Sequence, residues 1–252
     1  MKKTQVQYKY HSFDDDVVFT KNQSATVPQN FIWIHSNIFY RFFSGVVYWL
    51  AVCFAFFYCH FYLKVNFKNR KSLKNSKGGF VFANHTQPLG DVLIPMLAAF
   101  PNRAYTIAES SNLGIPFVRR ILTMGGALII PQKISQIKEF EQAISFRIKQ
   151  HRLIFIYPEA HVWPYFTKIR PFSAVSFHYP QSNNSESFCM TTTYQKGWAK
   201  KPKAIIYLDG PFLIDNQLKK KPAREKLYKQ IYEKMAFRSQ NSNISFIKYL
   251  KI

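Results

Sequence analysis

The sequence predicts an α/β protein in which a mostly parallel central sheet is flanked by helices and preceded by an N-terminal membrane-associated helix. From residue 79 onward, short apolar runs alternate with segments of helical periodicity, a pattern typical of parallel strands joined by helices. Upstream, the 20 residues from Phe42 to Phe61 contain no Lys, Arg, Asp or Glu. A chain of 252 residues accommodates one α/β domain of ordinary size and an anchor.

The first segment, residues 1–30, mixes charged residues with Asn, Gln and Ser and includes the acidic run Asp14, Asp15 and Asp16. It shows no sustained apolar period. This composition predicts a poorly ordered or loosely docked N-terminal tail that carries no chemistry.

The second segment, residues 31–65, contains the uncharged run and is predicted to be a membrane-associated helix. At about 1.5 Å per residue, a helix of this length reaches roughly the 30 Å of a bilayer core. The sequence leaves open whether the helix spans the membrane or lies in one leaflet, and a buried core helix is the alternative to both. Its position well inside the chain argues against a removable signal peptide.

A basic cluster follows the apolar run and consists of Lys64, Lys68, Arg70, Lys71, Lys74 and Lys77. Positive charge beside an apolar helix favours the cytoplasmic side of the membrane. We therefore expect the domain downstream of the helix to lie in the cytoplasm, and we expect the cluster to attract lipids with anionic headgroups.

The third segment, residues 66–252, is predicted to form the α/β domain. Its apolar runs predict strands over 79–83, 104–108, 127–130, 153–157, 189–194 and 204–208. Helical periodicity and composition predict helices over 91–100, 115–124, 133–150 and 218–238. The polar stretch QSNNSES, residues 181–187, is predicted to be a surface loop.

Composition restricts the class of partner. The chain has 35 Lys and Arg against 13 Asp and Glu, a formal net charge of +22, which implies an anionic partner. Phe is enriched in the uncharged run, which contains six of the 25 Phe residues in 20 positions, rather than among clustered cations; this favours a membrane and argues against nucleic acid. No zinc-ligand spacing, EF-hand loop, Walker loop or dinucleotide fingerprint is present, so no cofactor is predicted.

The first motif with chemical content is FVFANHTQPLGD, from Phe80 to Asp91. The strand is predicted to end at Ala83, and Pro88 suits the first turn of the next helix. His85 would then lie at the carboxyl edge of the sheet with Asp91 nearby, and a His beside a carboxylate is suited to activating a hydroxyl. From spacing alone, a turn with a capping carboxylate is the alternative.

Four stretches together resemble the glycerophospholipid acyltransferase family, typified by bacterial 1-acylglycerol-3-phosphate acyltransferase. In the order found in that family they are ANHTQPLGD, the segment from Ser111 to Gln132, YPEAH from Tyr157 to His161, and the later IRPF and IIYLDGPF stretches. The resemblance covers about residues 78 to 214 and implies that the segment 66–252 is an acyltransferase domain.

The resemblance implies that His85 is the general base and that Asp91 orients it. It also implies an acyl-CoA or acyl-carrier protein as co-substrate, an ester lipid as product and a place in phospholipid biosynthesis. Pro158 and Glu159 correspond to the segment that helps to hold the acceptor. Further expected substrate-binding residues are Asn84, Thr86, Gln132, His161 and Arg170.

One departure from the family pattern concerns the spacing of the dyad. The family has four residues between His and Asp, whereas Thr86 to Gly90 make five here. On a regular helix, six positions rotate the side chain by about 600°, which leaves the two side chains about 120° apart. A loop before Pro88 and an irregular turn at Gly90 would absorb the extra residue, so we expect the dyad to be intact.

A second departure concerns arginines. Gln132 occupies a position where the family normally has Arg, and Ala160, His161 and Val162 replace its Gly-Thr-Arg. Arginines at these positions would grip an acceptor phosphate through paired hydrogen bonds. The resemblance implies a lysophospholipid-type acceptor similar to 1-acylglycerol-3-phosphate (lysophosphatidic acid), whereas the missing arginines favour a lipid acceptor without phosphate as the alternative. Substitute cations are sought among Lys133, His161, Lys168 and Arg170, with Lys133 and Lys168 expected on a general basic surface.

Two alternatives remain at the level of sequence. The extra residue and the missing arginines suit a catalytically degenerate acyltransferase fold that binds membrane lipid; this is the first alternative.

The second concerns Arg119 and Arg120, which are either a solvated helix face or a contact for the anionic donor or headgroups.

Overall fold

The computed structural model describes residues 6–18, 25–114, 116–197 and 201–252. It does not describe the side chains of residues 114–119. The prediction for Arg119 therefore lies outside the described residues.

Within these ranges, a sheet of seven strands forms the centre of the protein, in the order β2-β8-β7-β3-β6-β4-β5. Its strands are β2 (Asn66–Lys68), β3 (Gly79–Ala83), β4 (Ala104–Ala108), β5 (Ala127–Ile129), β6 (Leu153–Ile156), β7 (Glu186–Gln195) and β8 (Lys203–Phe212). Neighbouring strands are parallel except for the antiparallel pair β7 and β8. The prediction of a mostly parallel sheet is confirmed.

Helices cover both faces of this sheet. The described ones are α1 (Ile38–Phe57), α2 (Lys71–Lys74), α3 (Gly90–Ala99), α4 (Pro116–Met124), α5 (Ile134–Lys149), α6 (His178–Asn183) and α7 (Lys220–Ser239). Because side chains alternate along a strand, Val81 and Ala83 of β3 join the core beneath α1 and α3, whereas Phe80 and Phe82 join the core beneath α5 and α7.

The predicted surface loop at residues 181–187 is wrong at both ends. Residues 181–183 belong to α6, which ends where Asn184 adopts a left-handed conformation with φ 43°. Glu186 and Ser187 belong to β7, because they pair with Gly79 and Phe80 of β3. The polar composition of this stretch correctly predicts that the end of α6 is exposed. It does not predict that Glu186 and Ser187 pair with β3.

The N-terminal segment is more ordered than the sequence predicts. Strand β1 (Gln7–Tyr10) pairs in parallel with β9 (Lys248–Lys251) near the other end of the chain. Aromatic contacts hold this small sheet against the domain, since the Trp163 ring lies 4.8 Å from that of Tyr10 and 5.0 Å from that of Tyr249. The tail predicted for residues 1–30 as poorly ordered or loosely docked thus includes a docked strand.

Helix α1 continues as a π-helical turn at Tyr58–Tyr62, and the 25 residues Ile38–Tyr62 are long and apolar enough to cross a membrane. One face is buried along its whole length, through Ser44, Tyr48, Val52, Ala55 and Cys59; this face packs on α3 and α4. The opposite face exposes large apolar side chains, including Phe42, Phe43, Trp49, Leu50, Phe57 and Phe61. The helix is therefore docked on the domain and presents an apolar face outward.

Candidate active site

His85 and Asp91 meet at the carboxyl edge of the sheet. His85 follows the end of β3, and its Nδ1 lies 2.7 Å from Asp91 Oδ2. The Asp91 residue is 1% exposed, whereas the His85 side chain is 23% exposed. A buried carboxylate thus holds an imidazole that is open to a substrate.

The loop between the two residues absorbs the extra residue. Residues 84–89 are not helical, and α3 begins at Gly90, so that Asp91 lies in its first turn. Pro88 lies in the turn before the helix instead of in its first turn. The backbone N–H of Gln87 donates to Asp91 Oδ2 at 2.8 Å, which fixes the carboxylate from the loop side.

The glycine at position 90 permits this geometry because the helix start passes very close to its neighbours. A Cβ at Gly90 would lie 2.7 Å from Gln87 Cβ and 2.9 Å from Leu63 Cδ1. A side chain at this position would displace either the loop of residues 84–89, which carries His85, or Leu63, which follows the π-helical turn after α1.

The carboxylate determines which imidazole nitrogen is available. Burial raises the pKa of Asp91, and the hydrogen bond with His85 opposes that rise. An ionised Asp91 accepts from Nδ1–H, which leaves the lone pair of His85 on Nε2. No hydrogen bond to Nε2 is found in the described part of the chain, so this nitrogen is available to take a proton.

Tyr157 is a site residue that the sequence did not single out beyond its place in the YPEAH stretch. Its ring stacks on the His85 ring with centroids 4.6 Å apart. Its hydroxyl donates to the Asp91 backbone carbonyl at 2.6 Å. Tyr157 therefore supports both members of the dyad, and only its position before Pro158 in the motif signalled this.

Glu159 supports the His85 loop from behind. Its Oε2 accepts from the His85 backbone N–H at 3.1 Å and from Arg170 Nη2 at 3.2 Å, and its Oε1 accepts from the Arg170 backbone N–H at 2.9 Å. Both side chains of this ion pair are buried. Arg170 also donates to the backbone carbonyls of Phe13 and His161.

These contacts differ from the expected direct role of Glu159 and Arg170 in binding substrate. Except for Arg170 Nε, their side-chain hydrogen-bonding groups contact other groups of the protein, as a buried charge requires. They hold the loop that carries His85 in place.

Asn84 and Thr86 also face the interior. Asn84 Nδ2 donates to the Thr192 carbonyl at 3.0 Å, and its Oδ1 accepts from the Thr192 N–H at 2.8 Å. The Thr86 hydroxyl lies 2.8 Å from that of Tyr194. Both side chains are buried, and they anchor the loop to β7. Their contact with an acceptor, which is expected from the sequence, stays a prediction.

Residues 64–182 match the family model of acyltransferases. These residues thus form an acyltransferase domain similar to those of the glycerophospholipid acyltransferase family. The fold is similar to the crystal structure of the 1-acyl-sn-glycerophosphate (LPA) acyltransferase PlsC from Thermotoga maritima, with a TM-score of 0.51 and 14% sequence identity. The similarity covers 82% of this chain and 95% of that one. No curated protein sequence matches the chain.

The remaining predicted binding residues of the acyltransferase do not converge with the dyad through any described contact. Gln132 Oε1 accepts from the Val27 N–H at 3.2 Å, so it fastens the N-terminal segment. His161 is half-buried, and its carbonyl accepts from Arg170. Pro158 is half-buried, while Lys133, Lys168 and Arg120 are exposed. In the acyltransferase these exposed cations belong to the basic surface.

Proposed function

We propose that the acyltransferase moves a fatty acyl group from a thioester donor, acyl-CoA or acyl-carrier protein, to the hydroxyl of a lysophospholipid-type acceptor. The observation that carries this proposal is the 2.7 Å contact between His85 Nδ1 and Asp91 Oδ2. It argues against the catalytically degenerate alternative, since the dyad is assembled despite the longer spacing.

In the proposed reaction, His85 Nε2 removes the acceptor proton as the hydroxyl oxygen attacks the thioester carbonyl. Asp91 stabilises the imidazolium that forms. When the tetrahedral intermediate collapses, the carbon–sulfur bond breaks and the imidazolium protonates the leaving thiolate. The ester is then complete and His85 is neutral again, so no covalent acyl-enzyme is needed.

The identity of the acceptor is supported by similarity and limited by the missing arginines. PlsC acts on 1-acyl-sn-glycerophosphate, which supports a lysophosphatidate-type acceptor here. Gln132 and Val162 cannot form the paired guanidinium contacts that suit a phosphate, and Arg170 is already paired with Glu159. This observation favours a lipid without phosphate, such as a glycolipid, as the second candidate acceptor.

The proposed location is a membrane surface, with the catalytic domain on the cytoplasmic side. Helix α1 packs along its length on the domain, so a crossing of the bilayer would bring the domain into the lipid. A helix that lies in the plane of the membrane keeps the domain out of the lipid and buries only its own exposed apolar face. The basic residues after the helix would bind anionic headgroups on the cytoplasmic side.

The test is acyl transfer from labelled acyl-CoA and acyl-carrier protein in membranes to a panel of lysophospholipids and glycolipids. Wild type is compared with His85→Ala and with His178→Ala, a histidine on α6 whose Nε2 contacts Glu141 at 3.5 Å. We expect transfer that His85→Ala abolishes and His178→Ala retains, and the accepted lipid identifies the substrate. Activity that persists in His85→Ala, or that is absent across the panel, would favour the degenerate fold.

A further inference from the structure

Three arginines gather at the sheet edge opposite the dyad. Arg103 directly precedes β4 and Arg152 directly precedes β6, and these strands pair in parallel with Ala104 opposite Leu153. Arg147 lies in the last turn of α5. The dyad follows the carboxyl end of β3, which is parallel to β6, so the arginines lie about one strand length, roughly 17 Å, from it.

No carboxylate pairs with these arginines in the described residues, and the remaining positions of the sequence contain no Asp or Glu. The guanidiniums of Arg103 and Arg147 lie 5.4 and 4.7 Å from the centroid of one ring, that of Tyr105. The Nε atoms of both are buried without a hydrogen-bond partner in the described structure.

Clustered like charges without a counter-ion are unfavourable in a partly buried setting. Burial lowers the pKa of Arg147, and the charges of Arg103 and Arg152 add to that effect. Only part of the hydrogen-bonding capacity is used, since Arg103 Nη2 donates to Ser44 Oγ at 2.7 Å and Arg147 Nη1 donates to Gln150 Oε1 at 3.2 Å. An anion would supply the missing charge.

The three arginines line a cavity of about 790 Å³, which lies within the size range of small-ligand sites. The first turns of α1 form another wall, through Ile38, Tyr40, Phe42 and Ser44. Ile38 and Phe42 belong to the exposed apolar face of that helix. The cavity, which we call the arginine pocket, therefore combines cations with an apolar wall that continues into the membrane-facing surface.

We propose that the arginine pocket binds the phosphate of an anionic membrane phospholipid at a site separate from the reaction centre. Guanidinium groups bind phosphate oxygens through paired, charge-assisted hydrogen bonds. The acyl chains of the same lipid would lie along the exposed face of α1. The bound lipid fixes the amino end of α1 to the membrane, while the dyad lies at the opposite edge of the sheet.

The test measures binding of the full chain to phosphatidylcholine vesicles with and without phosphatidic acid. The variant Arg147→Gln/Arg152→Gln is compared with Lys138→Gln/Lys149→Gln, which removes the same charge from exposed positions on α5. Arg103 is left intact because it ties α1 to the end of α4 through Ser44 and the Met124 carbonyl. We expect the arginine variant to bind phosphatidic acid vesicles at least about 10-fold more weakly than the lysine variant, the equivalent of one charge-assisted hydrogen bond.

Equal losses in the two variants would overturn the proposal, because they would show general attraction between charges and not a site. Inorganic phosphate distinguishes the source of the anion: if it binds the wild type at the arginines and vesicles do not, the lipid assignment is wrong. Should Arg147→Gln/Arg152→Gln fail to fold, Arg147→Lys/Arg152→Lys keeps the charge and removes the paired geometry. Calorimetric titration with soluble dihexanoyl phosphatidic acid must then show weaker binding than wild type, and unchanged binding would contradict the proposal.

Discussion

Asp91 illustrates the conflict between stability and function at the scale of a residue. Burial raises the pKa of its carboxyl above the ordinary 3.8, so the folded state binds the proton more tightly than the unfolded state. Its stabilising contribution is full below the unfolded pKa and is lost as pH rises through the folded value. We expect Asp91→Asn to raise the Tm at neutral pH, and to lower acyl transfer by about 10²- to 10⁴-fold because His85 loses its orienting carboxylate.

The matched control is Asp215→Asn. The hydrogen bond from Lys226 lowers the pKa of Asp215, so the sign is reversed: stability is present above the unfolded pKa and is lost as pH falls through the folded value. Asp215→Asn should therefore not raise the Tm at neutral pH. Thermal unfolding between pH 4 and 8 compares the two variants. An Asp91→Asn protein that is less stable than wild type at neutral pH would contradict the predicted increase in Tm.

Glu159 gives a prediction that separates support of the loop from binding of the acceptor. Burial raises the pKa of Glu159 as it raises that of Asp91, but the charge of Arg170 opposes the rise. Glu159→Gln leaves this buried guanidinium without its counter-charge, which costs about 3–5 kcal/mol. It also weakens the acceptor for the His85 N–H. We expect a lower Tm and a lower kcat with a nearly unchanged KM for the acceptor lipid. A raised KM with unchanged kcat and Tm would restore the direct acceptor role.

The sequence could single out His85 and Asp91 as candidates because both belong to one continuous motif of 12 residues, Phe80 to Asp91. It could not identify the partner of Glu159, which lies 11 residues away in an irregular segment. Nor could it show that Asn84 and Thr86 bond to β7, 108 residues later. Side-chain direction in a loop depends on these long-range contacts.

The turn into α3 is the critical feature at the scale of an element. Gly90→Ala places a Cβ within 3 Å of Gln87 and Leu63, so the loop that donates to Asp91 must move. We expect a clear loss of acyl transfer and a lower Tm. The control is Gly45→Ala in α1, where a Cβ meets nothing within 4 Å; it should stabilise the helix by up to about 1 kcal/mol. Equal behaviour of the two variants would contradict the steric account.

Elements with strong local patterns were predicted well. The strands at 79–83 and 104–108 and the helix at 116–124 lie within one residue of their predicted bounds. Strands β7 and β8 are longer than predicted because they form an antiparallel pair with each other, and this pairing carries polar residues into the sheet. A local hydrophobic pattern does not contain that information.

At the scale of the whole molecule, the exposed apolar face of α1 is the proposed contact with the membrane. Phe57 and Phe61 are 60% and 65% exposed, and burying a Phe side chain in lipid contributes about 1.5–3 kcal/mol. We expect Phe57→Ser/Phe61→Ser to weaken partition into neutral phosphatidylcholine vesicles by at least about 10-fold. Phe237→Ser, on the exposed side of α7, should leave partition unchanged. Equal effects would show that α1 is not the membrane-facing element.

The sequence predicted an apolar helix but not its docking along the domain, since length and composition are the same for a spanning and an in-plane helix. The pairing of β1 with β9 was also beyond local patterns, because it joins the two ends of the chain. Both features depend on the assembled tertiary structure.

A double-mutant cycle on acyl transfer with His85→Ala, Asp91→Ala and the double variant tests whether the two residues act as one catalytic unit. Groups that act as one catalytic unit have strongly non-additive effects. We predict that the double variant is no slower than His85→Ala alone, because Asp91 acts only through the imidazole. Losses that multiply, or a His85→Ala protein as active as wild type, would contradict a His85–Asp91 catalytic dyad.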